Sequence, residues 1–467
     1  MERTNIIDTP KYIGQTVKLN GWVHIRRDHG KLIFVDLRDK TGMIQTVVIP
    51  DNVEAHDNAK RLRPEFVIEM EGLVKERPQS AKNEKMPTGG VEIEVSSIKI
   101  LNEAKTSPFE IIKDTLDVQE TLRLKYRYLD LRTERMRNNM IMRHKIIKFM
   151  RDYYTENGFI EIETPVLTKG TPEGSREYVV PSRIHKGKFY VLPQSPQQFK
   201  QLLMVSGLER YFQVAKCFRD EDQRGDRQPE FTQFDLEMSF VDQKDVMSLY
   251  EQCMIELVKE LYPEKKIKEV PFPVITYKES MEKYGNDKPD MRTDKNDPNE
   301  LAFCWVVDFP MFEKNDDGEI GATHHPFTAP MDEDVELLET DLLAARAKAY
   351  DIVLNGYEIG GGSIRIHSKE IQHKIFEILG LKEETIQARF GHMLEAFTYG
   401  APPHGGMAGG LDRIIMILQN EPNIREIMAF PKTGEAEDLM MGAPSELEDS
   451  QLAEAGINVV KKKKKIV

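Results

Sequence analysis

The chain has 467 residues, and its 65 Lys and Arg stand against 78 Asp and Glu for a net charge of −13. That length allows two to four domains and a large core, while the acidic balance excludes a general nucleic-acid coat protein and leaves room only for a locally basic face. Three scattered cysteines, Cys217, Cys253 and Cys304, exclude a disulfide framework or zinc knuckle and suggest a reducing cytoplasm.

No apolar leader follows MERTNIIDTPKYIG and no run reaches about 18 apolar residues, so a soluble, cytoplasmic protein with no membrane contact is expected. Residues 15–100 then read as five short strands, in QTVKLNGWVHIRR, LIFVDLRD, MIQTVVI, FVIEMEGLV and GVEIEVSSIKIL, separated by Gly-bearing turns. Strands this short and closely spaced predict a small closed barrel of the OB type over residues 1–104. Residues 105–137 are charged and irregular, with the Arg-rich RLKYRYLDLRTERMR, and read as a linker. From Asn138 to Asn157, Met142, Ile146, Phe149, Met150 and Tyr153 follow helical spacing; Asn157-Gly158 is a stop, and FIEIETP a strand ending at Pro165.

The segment FRDEDQRGDRQPEFTQFDLEMSF, Phe218 to Phe240, ends one strand, crosses a charged loop and enters another. On the second strand Phe234, Leu236, Met238 and Phe240 fall on one side, and Gln233, Asp235 and Glu237 on the other. The incoming strand places Gln213 and Arg219 with the polar set. Such a face is either solvated or built to hold a polar ligand. Further on, the parity of GYEIGGGSIRIH puts Ser363, Arg365 and His367 opposite Ile364 and Ile366, so Arg365 turns away from the core. GGMAGGLDRIIMIL, residues 405–418, reads as a glycine-rich entry to a helix, and the lysine run Lys461–Lys465 as a solvated tail or a phosphate contact.

FRDE, a loop and RQPEFTQ together resemble motif 2 of class II aminoacyl-tRNA synthetases of the bacterial aspartyl type. The long helix with its strand and Pro165 resembles motif 1, which in that family forms the dimer interface, and GGMAGGLDR resembles motif 3. The resemblance covers nearly the whole chain. It implies an α+β fold: an N-terminal OB-fold β-barrel, then a class II catalytic domain over 138–467 built on an antiparallel sheet flanked by helices. The implied activity is ATP-dependent ligation of L-aspartate to tRNA through an aspartyl-adenylate, in a homodimer.

The resemblance also distributes roles. Arg219 and Arg413 are the catalytic cations on the phosphates of ATP, with Glu221, Phe231 and Glu358 completing the nucleotide site, and Asp351 and Glu358 hold Mg²⁺. Glu173, Ser195, Gln197, Lys200, Gln233, Asp235, His324, His325 and Arg365 bind aspartate: Lys200 and Arg365 take the side-chain carboxylate, and Asp235 the ammonium. Without the resemblance, the adjacent histidines could equally hold a metal or be plain loop residues. Two cations at the end of the pocket argue for an acidic substrate, since leaving them unpaired with asparagine would cost several kcal/mol.

In the barrel, Arg26, Phe34 and Gln45 match anticodon-reading positions, although a lone Phe in a strand is more often core. His29, at a hairpin tip, resembles relatives that charge tRNA(Asn) as well as tRNA(Asp). The insert domain usual in bacterial members is missing near 293–304, where TDKNDPNELAFC bridges its flanks. The rivals are a non-catalytic synthetase-like module, which would have lost Arg219, Arg413 or the Asp351 and Glu358 pair, and an aspartate-amidating paralogue, which would lack the barrel.

Overall fold

Alternation of apolar residues over the first hundred positions closes a barrel in the computed structural model, which describes residues 1–170, 175–315 and 318–460. Strands β1 (Thr16–His29), β2 (Leu32–Arg38), β3 (Met43–Val48), β4 (Val67–Glu76) and β5 (Val91–Asn102) run in the order β1-β2-β3-β5-β4 and close through antiparallel β1 and β4. Val17, Leu19, Val35, Leu37, Ile44, Ile68, Met70 and Ile93 fill the interior. Helix α1 (Val53–Arg61), N-capped by the Asn52 side chain on the Ala55 amide, packs Ala55 and Ala59 on that core. Gly30, at φ +62°, and Lys31 form the two-residue connection between β1 and β2, where a hairpin needs the left-handed region at its first central position. A bulge between Val23 and Ile25 reverses the parity of β1 thereafter.

The chain divides after Thr115, and the second unit begins at Leu116. Two arginines of the run read as a linker, Arg123 and Arg127, are buried inside this unit. Arg123 makes a two-pronged ion pair with Glu426 at 2.8 Å on each arm, and Arg127 holds Asp130 at 2.6 Å and the carbonyl of Ala429 at 3.0 Å. A guanidinium can satisfy several carbonyl and carboxylate oxygens at once, so an Arg-rich run serves as an internal bracket here.

The second unit is built on an eight-stranded sheet. Its strands are β6 (Ile160–Glu161), β7 (Arg210–Phe218), β8 (Glu230–Ser239), β9 (Val274–Thr276), β10 (Phe303–Val307), β11 (Ala349–Leu354), β12 (Tyr357–Ile364) and β13 (His404–Gly410), in the order β9-β10-β11-β12-β13-β8-β7-β6. The six central strands are antiparallel and the two edge strands pair parallel. Helix α2 (Glu134–Glu156) covers one face and α3 (Gln197–Val205) the other, where its Lys200 meets Asp235 and Glu237; α4 (Gln243–Leu261) and α5 (Leu411–Leu418) join α2 in one core with Phe234, Leu236 and Met238 of β8. Thr133 caps α2 and a reciprocal Asp242–Asp245 capping box starts α4.

Two local expectations change. Phe240 does not reach the core: it lies beyond β8 at φ +59° and is 68% exposed. The glycine-rich run before α5 is a fully paired central strand and not a loop. Its glycines are required by close approach, since a Cβ on Gly406 would sit 2.1 Å from the Leu236 carbonyl oxygen and 2.2 Å from a Glu237 carboxylate oxygen.

Candidate active site

On the polar face of β8 Asp235 and Glu237 are fully buried, and they belong to a balanced set of four charges. Lys200, on the first turns of α3, reaches Asp235 at 2.6 Å and Glu237 at 3.3 Å. Arg365, just past β12, clasps Glu237 at 2.9 and 3.2 Å and also donates to Ser363 Oγ at 2.6 Å and the Gly406 carbonyl at 3.2 Å. Arg365 is thus turned from the main apolar core, as its parity predicts, yet is only 2% exposed. In the free protein Lys200 and Arg365 are not bare, because Asp235 and Glu237 neutralise both.

Buried charges persist only when paired, and this quartet meets that condition with one oxygen to spare. Asp235 Oδ2 has no hydrogen-bond partner among the described residues. Burial pushes the Asp235 carboxyl up against the pull of Lys200, whereas Arg365 and Lys200 overcome burial at Glu237 and hold it down. Gln197 is buried next to these charges on α3 and donates to Gln201 at 3.2 Å, and half-buried Ser195 precedes it in a loop tied to the end of β7 by the Phe218 amide on the Pro193 carbonyl at 2.9 Å. Gln233 accepts from the Cys217 thiol at 3.2 Å. Glu173 lies outside the described residues.

His325 Nε2 is 2.8 Å from the Arg365 guanidinium, and its Nδ1 accepts from the Phe327 amide at 3.2 Å. Both ring nitrogens therefore face N–H donors, and a neutral imidazole offers only one acceptor. Protonation would add a second N–H facing a donor and deepen the mismatch, and burial and then the charge of Arg365 hold the His325 pKa well below the ordinary value. His324 sits 3.7 Å from Asp351, with its ring edge on Phe309. Burial would lower its pKa, and the Asp351 carboxylate outweighs that and raises it.

Above the quartet opens a cleft of about 670 Å³, lined by Arg219, Glu221, Phe231, Gln233, Glu358 and Arg413 among others. Arg219 lies over the Phe231 ring at 5.0 Å from its centroid, and its Nε has no partner among the described residues. Arg413, in the first turn of α5, holds Asp226 at 3.0 Å and donates to the Glu358 carbonyl. Glu221 pairs with Arg227 at 3.2 Å and with the Ser175 hydroxyl. Beside Arg413, Asp412 accepts from the Thr232 amide of β8 at 2.8 Å and from Arg143 of α2 at 2.5 Å, which pins the start of α5 to the strand below the cleft.

Asp351 and Glu358 sit on adjacent strands β11 and β12. No group of three or more His, Cys, Asp or Glu side chains among the described residues forms a metal cage. Two carboxylates offer hard oxygen donors and too few of them for a closed site, which fits Mg²⁺ that arrives carried by phosphates. Gly361 leaves the room for one of them: a Cβ there would lie 2.3 Å from Asp351 Oδ1. Burial raises the Asp351 carboxyl, while Lys288 and Arg413 overcome burial at Glu358 and hold it low.

In the barrel unit, the outer face of β2 and β3 carries Phe34 with Asp36 and Gln45, which are directly opposed across the strands. His29 closes β1 next to the turn, its ring edge-on to Phe34 with the ring centroids 6.0 Å apart. Arg26 does not join them. The bulge in β1 puts Arg26 opposite buried Val35, where it donates to the Lys60 carbonyl at 2.6 Å and pairs with Asp28; Arg27 is the one opposite Phe34, paired with Asp36 at 2.8 Å. Arg77 donates to Gln45 Oε1 at 3.1 Å.

A closed five-stranded barrel, followed by a mainly antiparallel sheet whose buried ion set lies under an Arg- and Phe-lined cleft, defines a class II aminoacyl-tRNA synthetase. Residues 119–434 match the family of class II tRNA synthetases for D, K and N, and residues 17–101 match the OB-fold nucleic acid binding domain. The chain belongs to that synthetase family. It is 43% identical to an aspartate–tRNA(Asp/Asn) ligase from Rubrobacter xylanophilus, over 96% of this chain and 95% of that one, and 42% identical to an aspartate–tRNA ligase from Staphylococcus saprophyticus, over 97% and 98%. The Rubrobacter alignment runs over 571 positions, more than a hundred beyond the length of this chain. Among solved structures, asparaginyl-tRNA synthetase from Pyrococcus horikoshii with asparaginyl-adenylate superposes at a TM-score of 0.74 and 24% identity, covering 93% of this chain and 98% of that one; aspartyl tRNA synthetase from Entamoeba histolytica matches at 0.74 and 24%, covering 92% and 91%. Those two show the shared fold.

Sequence reasoning placed Glu237 on the polar face without giving it a role, and passed over Asp412 and Lys288. Strand parity was the signal for Glu237. Nothing in the sequence pattern indicates which cation each carboxylate meets.

Proposed function

We propose that this chain ligates L-aspartate to tRNA in two steps, ATP-dependent adenylate formation and transfer to the tRNA 3′ end. The observation that carries the choice of amino acid is the neutral quartet with its spare Asp235 oxygen. A ligand enters such a set without leaving a bare buried charge only if it brings one positive and one negative group. Aspartate does so: its ammonium goes to Asp235, and its side-chain carboxylate to Lys200, Arg365 and His325, whose surplus donors then gain an acceptor. Asparagine brings the ammonium alone and leaves the cations short of one partner.

The α-carboxylate is then directed toward Arg219 and the cleft, where it attacks the α-phosphorus of ATP as pyrophosphate leaves. Arg219 and Arg413 offset the charge that accumulates, Phe231 stacks on adenine, and Ser195, Gln197, Gln233, Glu221 and His324 complete the pocket. Asp351 and Glu358 would hold Mg²⁺ brought with the nucleotide, which supplies further neutralisation of the phosphates. The terminal ribose hydroxyl of tRNA attacks the aspartyl carbonyl, and AMP departs. The protein's contribution is position and charge, with no covalent enzyme intermediate.

The barrel serves the anticodon through Phe34 and Gln45 by stacking and base-edge contact. Among the arginines, Arg27 replaces Arg26 as the residue available beside Phe34. His29 supports charging of tRNA(Asn) together with tRNA(Asp). We place the missing insert between Arg292 and Trp305, where Glu300 accepts from the Thr293 and Asp294 amides at 2.8 and 2.9 Å and closes the gap as a tight turn. A homodimer is supported by exposed Ile160, Val166, Leu167, Val179 and Phe189 around the edge strand β6. No helix among the described residues is long and apolar enough to cross a membrane, and we assign the protein to the cytoplasm.

The retained Arg219, Arg413, Asp351 and Glu358 count against a non-catalytic module, and the barrel against an amidating paralogue. Charging of separated tRNA(Asp) and tRNA(Asn) by the purified protein tests the reading. Aspartylation of both is expected; aspartylation of tRNA(Asp) alone overturns the assignment of His29, and aspartylation of neither overturns the function.

A further inference from the structure

Lys288 lies outside the three synthetase motifs, yet its side chain lines the same cleft as Arg219, Phe231 and Arg413. Its ammonium sits 2.9 Å from Glu358 Oε2. The backbone that presents it is well braced. The helix Tyr277–Tyr284 ends at Gly285 in the left-handed region, the Asn286 side chain accepts from the Lys288 amide at 2.8 Å, and Ser280 holds the Asn286 carbonyl at 2.8 Å. Two residues on, Asp290 is clamped by Arg292 and packs so closely against the β11–β12 turn that a Cβ on Gly356 would lie 3.2 Å from it. That turn leads directly into Glu358, so the lysine and its partner carboxylate are fixed to one another through the backbone.

Three cations around the cleft are paired on carboxylates: Lys288 on Glu358, Arg413 on Asp226, Arg227 on Glu221. These pairs are partly exposed, and the side chains are long, so each is held weakly and can exchange partners. A polyphosphate entering the cleft carries several negative charges, more than Arg219 alone offsets, and can draw further cations from such pairs. Lys288 is the one whose present partner, Glu358, is assigned to the metal that arrives with the nucleotide.

Resting on the adenylation reading, we propose that Lys288 is a polyphosphate-binding residue of this chain, seated on Glu358 in the free protein and transferred to the phosphate tail when ATP or pyrophosphate enters. Arg413 and Lys288 then approach the tail from two sides, one from α5 and one from the segment after Gly285. The lysine acts as a point charge, suited to a mobile phosphate group where a fork-shaped guanidinium is not required.

The test uses equilibrium binding to the full-length protein, with no turnover, comparing wild type, Lys288→Ala and Lys288→Arg. The probes are inorganic pyrophosphate, a non-hydrolysable α,β-methylene ATP and adenosine, each with Mg²⁺. Lys288→Ala is expected to weaken pyrophosphate and the ATP analogue about tenfold or more, as loss of one charge-assisted contact does, leave adenosine unchanged, and be largely rescued by Lys288→Arg. Without nucleotide, Mn²⁺ titration followed by electron paramagnetic resonance should show tighter binding to Lys288→Ala, because Glu358 is released. Unchanged pyrophosphate affinity, or an equal loss for adenosine, overturns the proposal. Failure of the adenylation reading is seen separately, as absence of aspartate-dependent exchange in the wild type while these binding measurements remain readable.

Discussion

Replacing Asp235 by Asn changes a single fully buried group at the point where the ammonium of the amino acid is expected. In the free protein the substitution removes one of four balanced charges and leaves Lys200 with Glu237 alone at 3.3 Å. In the complex it also exchanges a charge-assisted contact to the ammonium for a neutral one. Breaking one side of a buried pair costs about 3–5 kcal/mol, and each 1.36 kcal/mol is a factor of ten, so kcat/KM for aspartate should fall by roughly two to four orders of magnitude. The KM for ATP should stay within about threefold of wild type, because the nucleotide cleft is built from Arg219, Phe231 and Arg413. Aspartate-dependent ATP–pyrophosphate exchange, with each substrate varied in turn, reads both. Succinate, which lacks the ammonium, serves as a competitor and should bind the variant no worse than the wild type. A loss under fivefold for aspartate, or a parallel loss for ATP, would refute the partner-exchange reasoning.

Gly406→Ala should destabilise the second unit by about 3 kcal/mol or more, because the new methyl meets backbone that cannot move; Gly434→Ala, with open space around it, should be silent in the same denaturant titration. Arg123→Ala strips Glu426 of its two-pronged partner and should cost about 3–5 kcal/mol in chemical denaturation, whereas loss of a surface lysine such as Lys148 should cost nothing measurable. His404 donates from Nδ1 to the Pro402 carbonyl at 2.8 Å and accepts at Nε2 from the Gln201 amide at 3.2 Å, so a second ring proton would face a donor. Burial likewise depresses its pKa in the folded state below 6.5. The unfolded chain therefore binds the proton first, and His404 removes stability as pH falls below about 6.5, by at most about 1.4 kcal/mol per pH unit. His404→Gln should flatten that part of the stability profile; an identical slope in both proteins would contradict the tautomer assigned from its partners.

Much of the fold was legible because period-two alternation survives in the strands that matter. The barrel and the two-faced β8 both follow from it. Parity failed at Phe240, where a left-handed residue turned the ring into solvent; the bulge after Val23, which sets Arg27 and not Arg26 opposite Phe34, leaves no mark in the sequence pattern. The glycines of β13 hid a strand because glycine is a poor strand former, and their reason for being there is the approach of a neighbouring strand. At the site, residue types disclosed the charges. Their pairing depends on which strands become neighbours, so the neutral quartet became visible only once Arg365 on one side and Lys200 on the other were seen to share Glu237. The ion pairs of Arg123 and Arg127 were hidden for a related reason, since Arg-rich sequence looks the same whether its partners are water or buried carboxylates.

The central claim is that the buried set selects an amino acid carrying both an ammonium and a side-chain carboxylate. ATP–pyrophosphate exchange by the purified wild-type protein, with L-aspartate and L-asparagine each supplied alone, tests it most directly. Exchange with aspartate at a kcat/KM at least about a hundredfold above that for asparagine is the expected result. Comparable exchange with both, or none with aspartate, would contradict it.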